Sequence, residues 1–104
     1  MDIGINEIVR RYAGRVKEQF NPKNIYLYGS HAKGTADEHS DIDIAVVIEP
    51  TDGKEFMNIF GKLFVVAADI DGRIEPNLLI DDGEDDKYSF LNEIKETGQL
   101  IYIN

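Results

Sequence analysis

The chain has 104 residues, of which 42% are hydrophobic and 30% charged, and its formal net charge is −9. This length and composition are typical of a globular protein with one modest core, so we expect residues 1–104 to form a single domain. The acidic balance argues against broad binding to nucleic-acid backbones, which requires clusters of Lys and Arg. The chain contains no cysteine, which excludes a disulfide framework and a cysteine-based zinc site.

The sequence shows no recognisable targeting or membrane-spanning segment. No apolar run approaches the ~18 residues that are needed to span a bilayer. Residues 1–6 lack the basic and apolar regions of a signal peptide. We therefore expect a cytoplasmic protein that makes no membrane contact.

The first half of the chain alternates helix and strand patterns. Apolar residues recur at three- and four-residue spacing over Ile5–Phe20, which predicts an amphipathic helix that the following Asn-Pro pair ends. Asn24–Tyr28 reads as a strand, and residues 29–40 read as a turn, with room for one helical turn, followed by a polar loop. Asp41–Glu49 is predicted to be the second strand. Its side chains alternate between two faces, and both faces are apolar in its second half, which predicts that both are covered there.

The second half continues with helix, strand and helix. Lys54–Asp69 is predicted to be a helix with a buried stripe of Phe56, Ile59, Phe60, Leu63, Phe64 and Ala67. Arg73–Ile80 reads as a strand, residues 81–86 as an acidic loop, and Tyr88–Thr97 as a helix ended by Gly98. Leu100–Ile103 fits either a last short strand or a strand-like tail.

One stretch combines a phosphate-type turn with paired carboxylates. Gly29 and Ser30 directly follow an apolar strand, and their backbone N–H groups, with the Ser30 hydroxyl, are suited to hold a phosphate. Asp41 and Asp43 share one strand face about 7 Å apart and can converge on a hard cation such as Mg²⁺. Together these features indicate phosphoryl or nucleotidyl transfer.

The same stretch resembles the nucleotidyltransferase superfamily of DNA polymerase beta, and within it the short group called minimal nucleotidyltransferases. The resemblance is dense from Ile25 to Ile48. It is carried by Tyr28, Gly29, Ser30 and Gly34, then Ser40, Asp41, Ile42, Asp43 and Ile44. It implies an α/β (α+β) polymerase beta palm-like fold, in which helices pack mainly on one side of a small mixed β-sheet.

The resemblance also implies a substrate and cofactors. The chain is expected to use ATP with two Mg²⁺ ions, which Asp41 and Asp43 would bridge. In related proteins an acidic residue on the third strand is the third metal ligand, and Glu75 occupies that strand here. Asp69 and Asp71 in the preceding turn are rival third ligands, and a Glu75 that only pairs with Arg73 is the structural alternative.

The remaining polar residues near the motif have simpler interpretations. Lys33 is expected to lie near the phosphates, although a solvated surface lysine is an equal alternative. Ser30 also fits a helix N-cap. The two glycines of residues 29–34 have P-loop spacing, but the required Lys-Ser/Thr pair does not follow. His31 and His39 are expected to be solvated loop residues, and the acidic loop lacks EF-hand spacing.

Together with these features, the resemblance implies an enzyme that transfers AMP from ATP to a hydroxyl acceptor. The resemblance implies a small all-helical HEPN-type toxin as partner and acceptor, with this chain as its antitoxin. The alternative is a weakly active or non-catalytic antitoxin that acts by complex formation, and a homodimer is also possible. Transfer to RNA is disfavoured by the acidic charge.

Overall fold

The computed structural model describes residues 4–83 and 86–104, and these form four helices and four strands in the order αβαβαβαβ. The order agrees with the sequence-based expectation. The elements are α1 (Ile5–Phe20), β1 (Asn24–Tyr28), α2 (Ser30–Lys33), β2 (Ile42–Ile48), α3 (Gly53–Ile70), β3 (Ile74–Ile80), α4 (Phe90–Thr97) and β4 (Gln99–Ile103).

The strands form one mixed sheet in the order β3-β2-β1-β4. β1 pairs antiparallel with β2 and with β4, whereas β2 and β3 are parallel. A parallel pair needs a long crossover, and α3 supplies it between β2 and β3. The pairing of β4 with β1 shows that the last segment of the chain is a strand and not a tail. The expected small mixed sheet is confirmed.

Helices cover the two faces of the sheet unequally. On one face, α1 and α3 pack over Ile42, Ile44 and Val46 in the main core. On the other face, Ala45 and Val47 pack against Ile94 of the short helix α4. Both faces of the second half of β2 are thus buried, as its sequence pattern predicted, and the helices lie mainly on one side.

The helix ends follow local chemistry. α1 ends at Phe20, and Asn21 follows as its C-cap with a left-handed φ of 48°, directly before Pro22. α3 starts one residue earlier than predicted, because Asp52 caps it by accepting a hydrogen bond from the Glu55 N–H at 2.7 Å. α4 starts two residues later than predicted, because Ser89 takes the N-cap position and accepts from the Asn92 N–H at 3.0 Å.

Three details of the sequence-based prediction need correction. Asp41 lies just before β2, and Arg73 just before β3, so both strands are slightly shorter than expected. Phe64, which was predicted to be buried on α3, is 40% exposed. The reason is that the sheet and α1 cover only one flank of the helix.

Within residues 4–83 and 86–104, no helix is long and apolar enough to cross a bilayer.

Candidate functional site

The candidate site lies where β1 ends and β2 and β3 begin. Because β1 is antiparallel to β2 and β2 is parallel to β3, Tyr28, Asp43 and Glu75 form a row across three neighbouring strands. All three point to the face that carries α4, since Ala45 on that face packs against α4. Glu75 therefore lies on the strand next to that of Asp43.

The Gly29–Ser30 turn packs against Asp43. Gly29 has a φ of 74° and forms the N-cap of α2. A Cβ atom on Gly29 would overlap the Asp43 Oδ2 atom and lie 3.1 Å from its Cγ. Only glycine allows both this backbone conformation and this close approach. The predicted phosphate-binding turn and the predicted metal-binding carboxylate are therefore in direct contact.

Ser30 does not have the capping role that the sequence also allowed. Gly29 occupies the N-cap position, Ser30 is the first residue of α2, and the cap has no side-chain hydrogen bond. The turn is closed by backbone bonds instead, with the Lys33 N–H donating to the Gly29 carbonyl at 3.1 Å. The Ser30 hydroxyl thus makes no capping bond, and Lys33 is exposed on the same short helix.

The carboxylates of the site influence one another. Burial raises the pKa of Asp43, and the negative charges of Asp41 and Glu75 raise it further, while His31 acts in the opposite direction. Burial also raises the pKa of Tyr28, with further contributions from Asp43 and Glu75 and an opposing hydrogen bond with Asn77. A bound cation would relieve the repulsion that raises the pKa of Asp43.

The donor set suits magnesium, although its geometry is not that of an assembled metal centre. Carboxylate oxygens are the ligands that Mg²⁺ prefers. However, in the described residues 4–83 and 86–104, no three His, Asp or Glu side chains converge closely enough to hold a metal ion. Asp41 and Glu75 are exposed, and both lie near enough to Asp43 for their charges to raise its pKa.

The rival carboxylates are engaged elsewhere. Asp71 accepts hydrogen bonds from the Arg73 guanidinium at 2.9 and 3.1 Å. These bonds are the main reason that the pKa of Asp71 is lowered. Asp69 pairs with Arg15 at 3.4 Å on the helical face of the molecule. Neither points to a metal-binding role as clearly as Glu75 does.

His31 was missed by the sequence-based prediction, which treated it as a solvated residue. It is only partly exposed, its Nε2 atom is buried without a hydrogen-bond partner, and its ring lies near enough to Asp43 to affect that carboxylate. Its position directly after Gly29–Ser30 was the available signal. His39 behaves as predicted: it is exposed and lies 3.4 Å from Glu38.

The acidic loop is partly described. Asp81 accepts a hydrogen bond from the Gly83 N–H at 3.0 Å and pairs with Lys95 at 3.3 Å. Asp82 and Asp86 are exposed, in agreement with a solvated loop. The prediction also covered residues 84 and 85, which lie outside the described residues.

Comparison with known proteins places this geometry in a family. Residues 13–104 match the family model described as "Polymerase beta, Nucleotidyltransferase". A protein of Methanocaldococcus jannaschii with the provisional name protein adenylyltransferase MJ1215 is 45% identical over 42 residues, which are 40% of this chain and 49% of that protein. The match thus spans about half the length of this relative.

Two solved structures show the same fold. A provisionally named nucleotidyltransferase of Sulfolobus solfataricus superposes with a TM-score of 0.59 at 23% identity, over 93% of this chain and 78% of the other. A toxin–antitoxin complex with AMP-PNP gives a TM-score of 0.58 at 24% identity, over 91% of this chain and 73% of the other. At these identities the likeness shows the fold alone.

Proposed function

The chain belongs to the polymerase beta nucleotidyltransferase family, and on that premise we propose that it transfers AMP from ATP to a hydroxyl group of a partner protein. The observation that carries the proposal is the contact between the two halves of the motif. Gly29 leaves room for Asp43, and Asp43 lies beside Glu75 on the neighbouring strand. A phosphate-binding turn is thereby joined to carboxylates that can hold a divalent cation.

The choice of ATP and of a protein acceptor is supported by the relatives. MJ1215 has the provisional name protein adenylyltransferase, and one structural neighbour is a toxin–antitoxin complex with AMP-PNP. We propose that the partner is a small all-helical HEPN-type toxin and that the acceptor is a Tyr, Ser or Thr hydroxyl on it. The net charge of −9 favours a partner with a basic surface.

Each site residue has a role in this reaction. The Gly29 and Ser30 backbone, with the Ser30 hydroxyl, would bind phosphate oxygens, and Lys33 would add positive charge beside them. Asp41, Asp43 and Glu75 would hold two Mg²⁺ ions. When bound, such ions neutralise phosphate charge and stabilise the entering and leaving oxygens.

The chemical step conserves atoms and charge. A bond forms between the acceptor oxygen and the α-phosphorus as the bond from that phosphorus to pyrophosphate breaks. The proton of the acceptor hydroxyl passes to Glu75 or a neighbouring carboxylate. Pyrophosphate then leaves from the Gly29–Ser30 turn. The chain's own residues thus bind and orient the phosphates and accept the proton.

Mass spectrometry of the partner tests the proposal. The partner to use is the product of a neighbouring reading frame that encodes a short all-helical protein. Incubated with this chain and Mg²⁺-ATP, it should gain one or more AMP units, and the gain should be absent when Asp43→Asn replaces the wild type. If both proteins are folded and the partner gains no mass, transfer to that partner is contradicted.

A binding antitoxin is the second candidate. It is favoured by the fact that, in residues 4–83 and 86–104, the three carboxylates do not converge into a metal-binding group. On this alternative, the two proteins form a tight complex without any mass gain, and Asp43→Asn leaves the affinity unchanged. Measuring the affinity and the partner mass in one experiment separates the two candidates.

A further inference from the structure

The solvent side of α3 is mostly apolar from Met57 to Ala68, with Lys54 in line with it in the first turn and the exposed Asn58 at its border. Met57 is 62% exposed, Val65 is 64% exposed and Phe64 is 40% exposed, and Gly61 and Ala68 are also exposed. At 100° per residue, these five positions lie on one side of the helix, opposite Ile59 and Leu63 of the core. A surface helix is normally polar on that side, and a helix that is apolar on both sides is normally covered.

A row of aromatic rings holds the edge of this face in place. Phe56 stacks on Phe60 with ring centroids 6.3 Å apart, and Phe60 meets Phe64 edge-on at 5.2 Å. Phe56 and Phe60 also pack against the main core. The exposed ring of Phe64 is therefore supported from beneath, so this edge is a preformed surface that needs little ordering on binding.

We propose that the outer α3 face (Met57, Gly61, Phe64, Val65 and Ala68) binds the same face of a second copy of this chain. The two α3 helices would cross antiparallel about a two-fold axis at Gly61. Residues at equal distances before and after the axis then meet, because a two-fold interface pairs each position with its counterpart on the other copy. Met57, four residues before Gly61, would contact Val65, four residues after it.

The bare backbone at Gly61 supports this arrangement. A Cβ atom built on Gly61 meets nothing within 4 Å, so the backbone at the centre of the face is open to an approaching helix. The same symmetry brings Lys54 of one copy near Ala68 and Asp69 of the other. Asp69 already contacts Arg15 at 3.4 Å, and its side chain is 62% exposed, so it can accept a second cation.

The charge distribution makes the outer α3 face a more favourable place for two copies to meet than most of the surface. The chain as a whole carries a charge of −9, so two copies repel each other. The exposed charges along α3 are Lys54, Lys62, Glu55 and Asp69, and the two positive charges cancel the two negative ones. This face is therefore a locally neutral, apolar area on an acidic molecule.

The proposed dimer does not obstruct the candidate site. α3 packs on the sheet face of Ile42 and Ile44, whereas Asp43 and Glu75 point to the opposite face. Self-association is therefore independent of nucleotidyl transfer, and a failure of one proposal leaves the other standing.

Single-cysteine variants test the geometry directly, because the chain has no native cysteine. Under mild oxidation, Gly61→Cys should form a disulfide-linked dimer, since residues on the axis meet their own copies. An equimolar mixture of Met57→Cys and Val65→Cys should cross-link more than either variant alone. Ile103→Cys, at a 68% exposed position on β4, should stay uncrosslinked.

Sedimentation equilibrium tests the energetics. Val65→Lys should weaken self-association on the order of tenfold or more, because a charge would be buried one helical turn from the axis, against Met57 of the other copy. Ile103→Lys is the matched control and should leave the association unchanged, and added salt should strengthen association of the wild type by screening the repulsion. A wild type that is monomeric at all accessible concentrations would overturn the proposal. Dissociation by Ile103→Lys and not by Val65→Lys would overturn it too.

Discussion

The carboxylates at the two ends of the parallel β2–β3 pair have pKa values that are shifted in opposite directions. At the starting end, Asp43 lies beside Glu75, and burial followed by the charges of Asp41 and Glu75 raises the pKa of Asp43. At the finishing end, Asp81 accepts from the Gly83 N–H, its nearest cations are Lys95 at 3.3 Å and Lys23 at 3.4 Å, and its pKa is lowered.

This difference separates a carboxylate that stabilises the fold from one for which we propose a function. The hydrogen bond from Gly83 and the two lysines beside Asp81 stabilise its charge within the fold. Around Asp43 the fold combines burial with neighbouring like charges, which raises the free energy of the ionised carboxylate when no cation is bound. Groups with perturbed pKa values that arise in this way are concentrated at functional sites.

Removing the central charge of the starting end should have the largest effect. We expect Asp43→Asn to lower the rate of AMP transfer on the order of 10³-fold, because a ligand for the neutralising cation is lost. Asp81→Asn at the finishing end is the matched control and should keep near-normal transfer while lowering stability. Equal loss of transfer in the two variants would remove the functional distinction between the ends.

The third carboxylate should matter next. We expect Glu75→Gln to lower transfer by about 10²-fold, because it removes the group that we propose as metal ligand and proton acceptor. Glu49→Gln is the matched control, because it makes the same substitution at an exposed position just after the finishing end of β2 and should leave transfer unchanged. Should Glu75→Gln keep wild-type turnover, Glu75 is not the third ligand, and Asp69 and Asp71 are the residues to test.

The affinity for nucleotide should depend on the metal. Clustered carboxylates repel a polyanion, so ATP with Mg²⁺ should bind at least about tenfold more tightly than ATP with a chelator. Titration calorimetry under the two conditions measures the ratio. Equal affinities would exclude a metal-bridged nucleotide at the starting end.

Gly29 links the turn to the carboxylates, and its replacement tests that contact. We expect Gly29→Ala to lower the free energy of unfolding by about 1–3 kcal/mol, because it adds a clash with Asp43 to the backbone strain. Gly34→Ala is the control in the same turn, since its φ is 78° but a Cβ there meets nothing within 4 Å. Urea unfolding should show the smaller loss for Gly34→Ala, and equal losses would mean that the contact with Asp43 adds nothing.

The smallest effect is the pH dependence of stability. The lowered pKa of Asp81 means that its contribution is present above the unfolded pKa of about 3.9 and is lost as the pH falls through the folded pKa. The raised pKa of Asp43 has the opposite sign, so its contribution is present below the unfolded pKa and is lost as the pH rises through the folded value. Urea unfolding at several pH values should therefore find metal-free Asp43→Asn at least as stable as the wild type at neutral pH. An Asp43→Asn variant that unfolds at lower urea than the wild type at neutral pH would contradict the direction given for the Asp43 contribution.

Local patterns were sufficient for most elements. The bounds of α1 and β1 are those predicted, because apolar periodicity and the Asn21-Pro22 stop are features of neighbouring residues. The ends of α3 and α4 shifted by a residue or two, because Asp52 and Ser89 cap them. Side-chain capping depends on how the chain enters the helix, which periodicity does not report.

Burial of particular side chains was less predictable. Helical spacing put Phe64 on the buried stripe, but the width of the covered flank depends on how α1 and the sheet meet α3, and the ring is 40% exposed. His31 was expected in solvent because its neighbours in the sequence are polar. Its Nε2 atom is buried because the short helix α2 folds back beside Asp43.

The sequence by itself determined the spacing of Gly29, Ser30, Asp41 and Asp43 and the position of the two halves of the motif at the end of β1 and the start of β2, because these depend on residues close together in the chain. Only the tertiary structure decided that Glu75 lies beside Asp43 and that the outer side of α3 stays uncovered. Strand register and helix coverage are set by contacts between residues far apart in the chain, and the many side chains of the core determine them together.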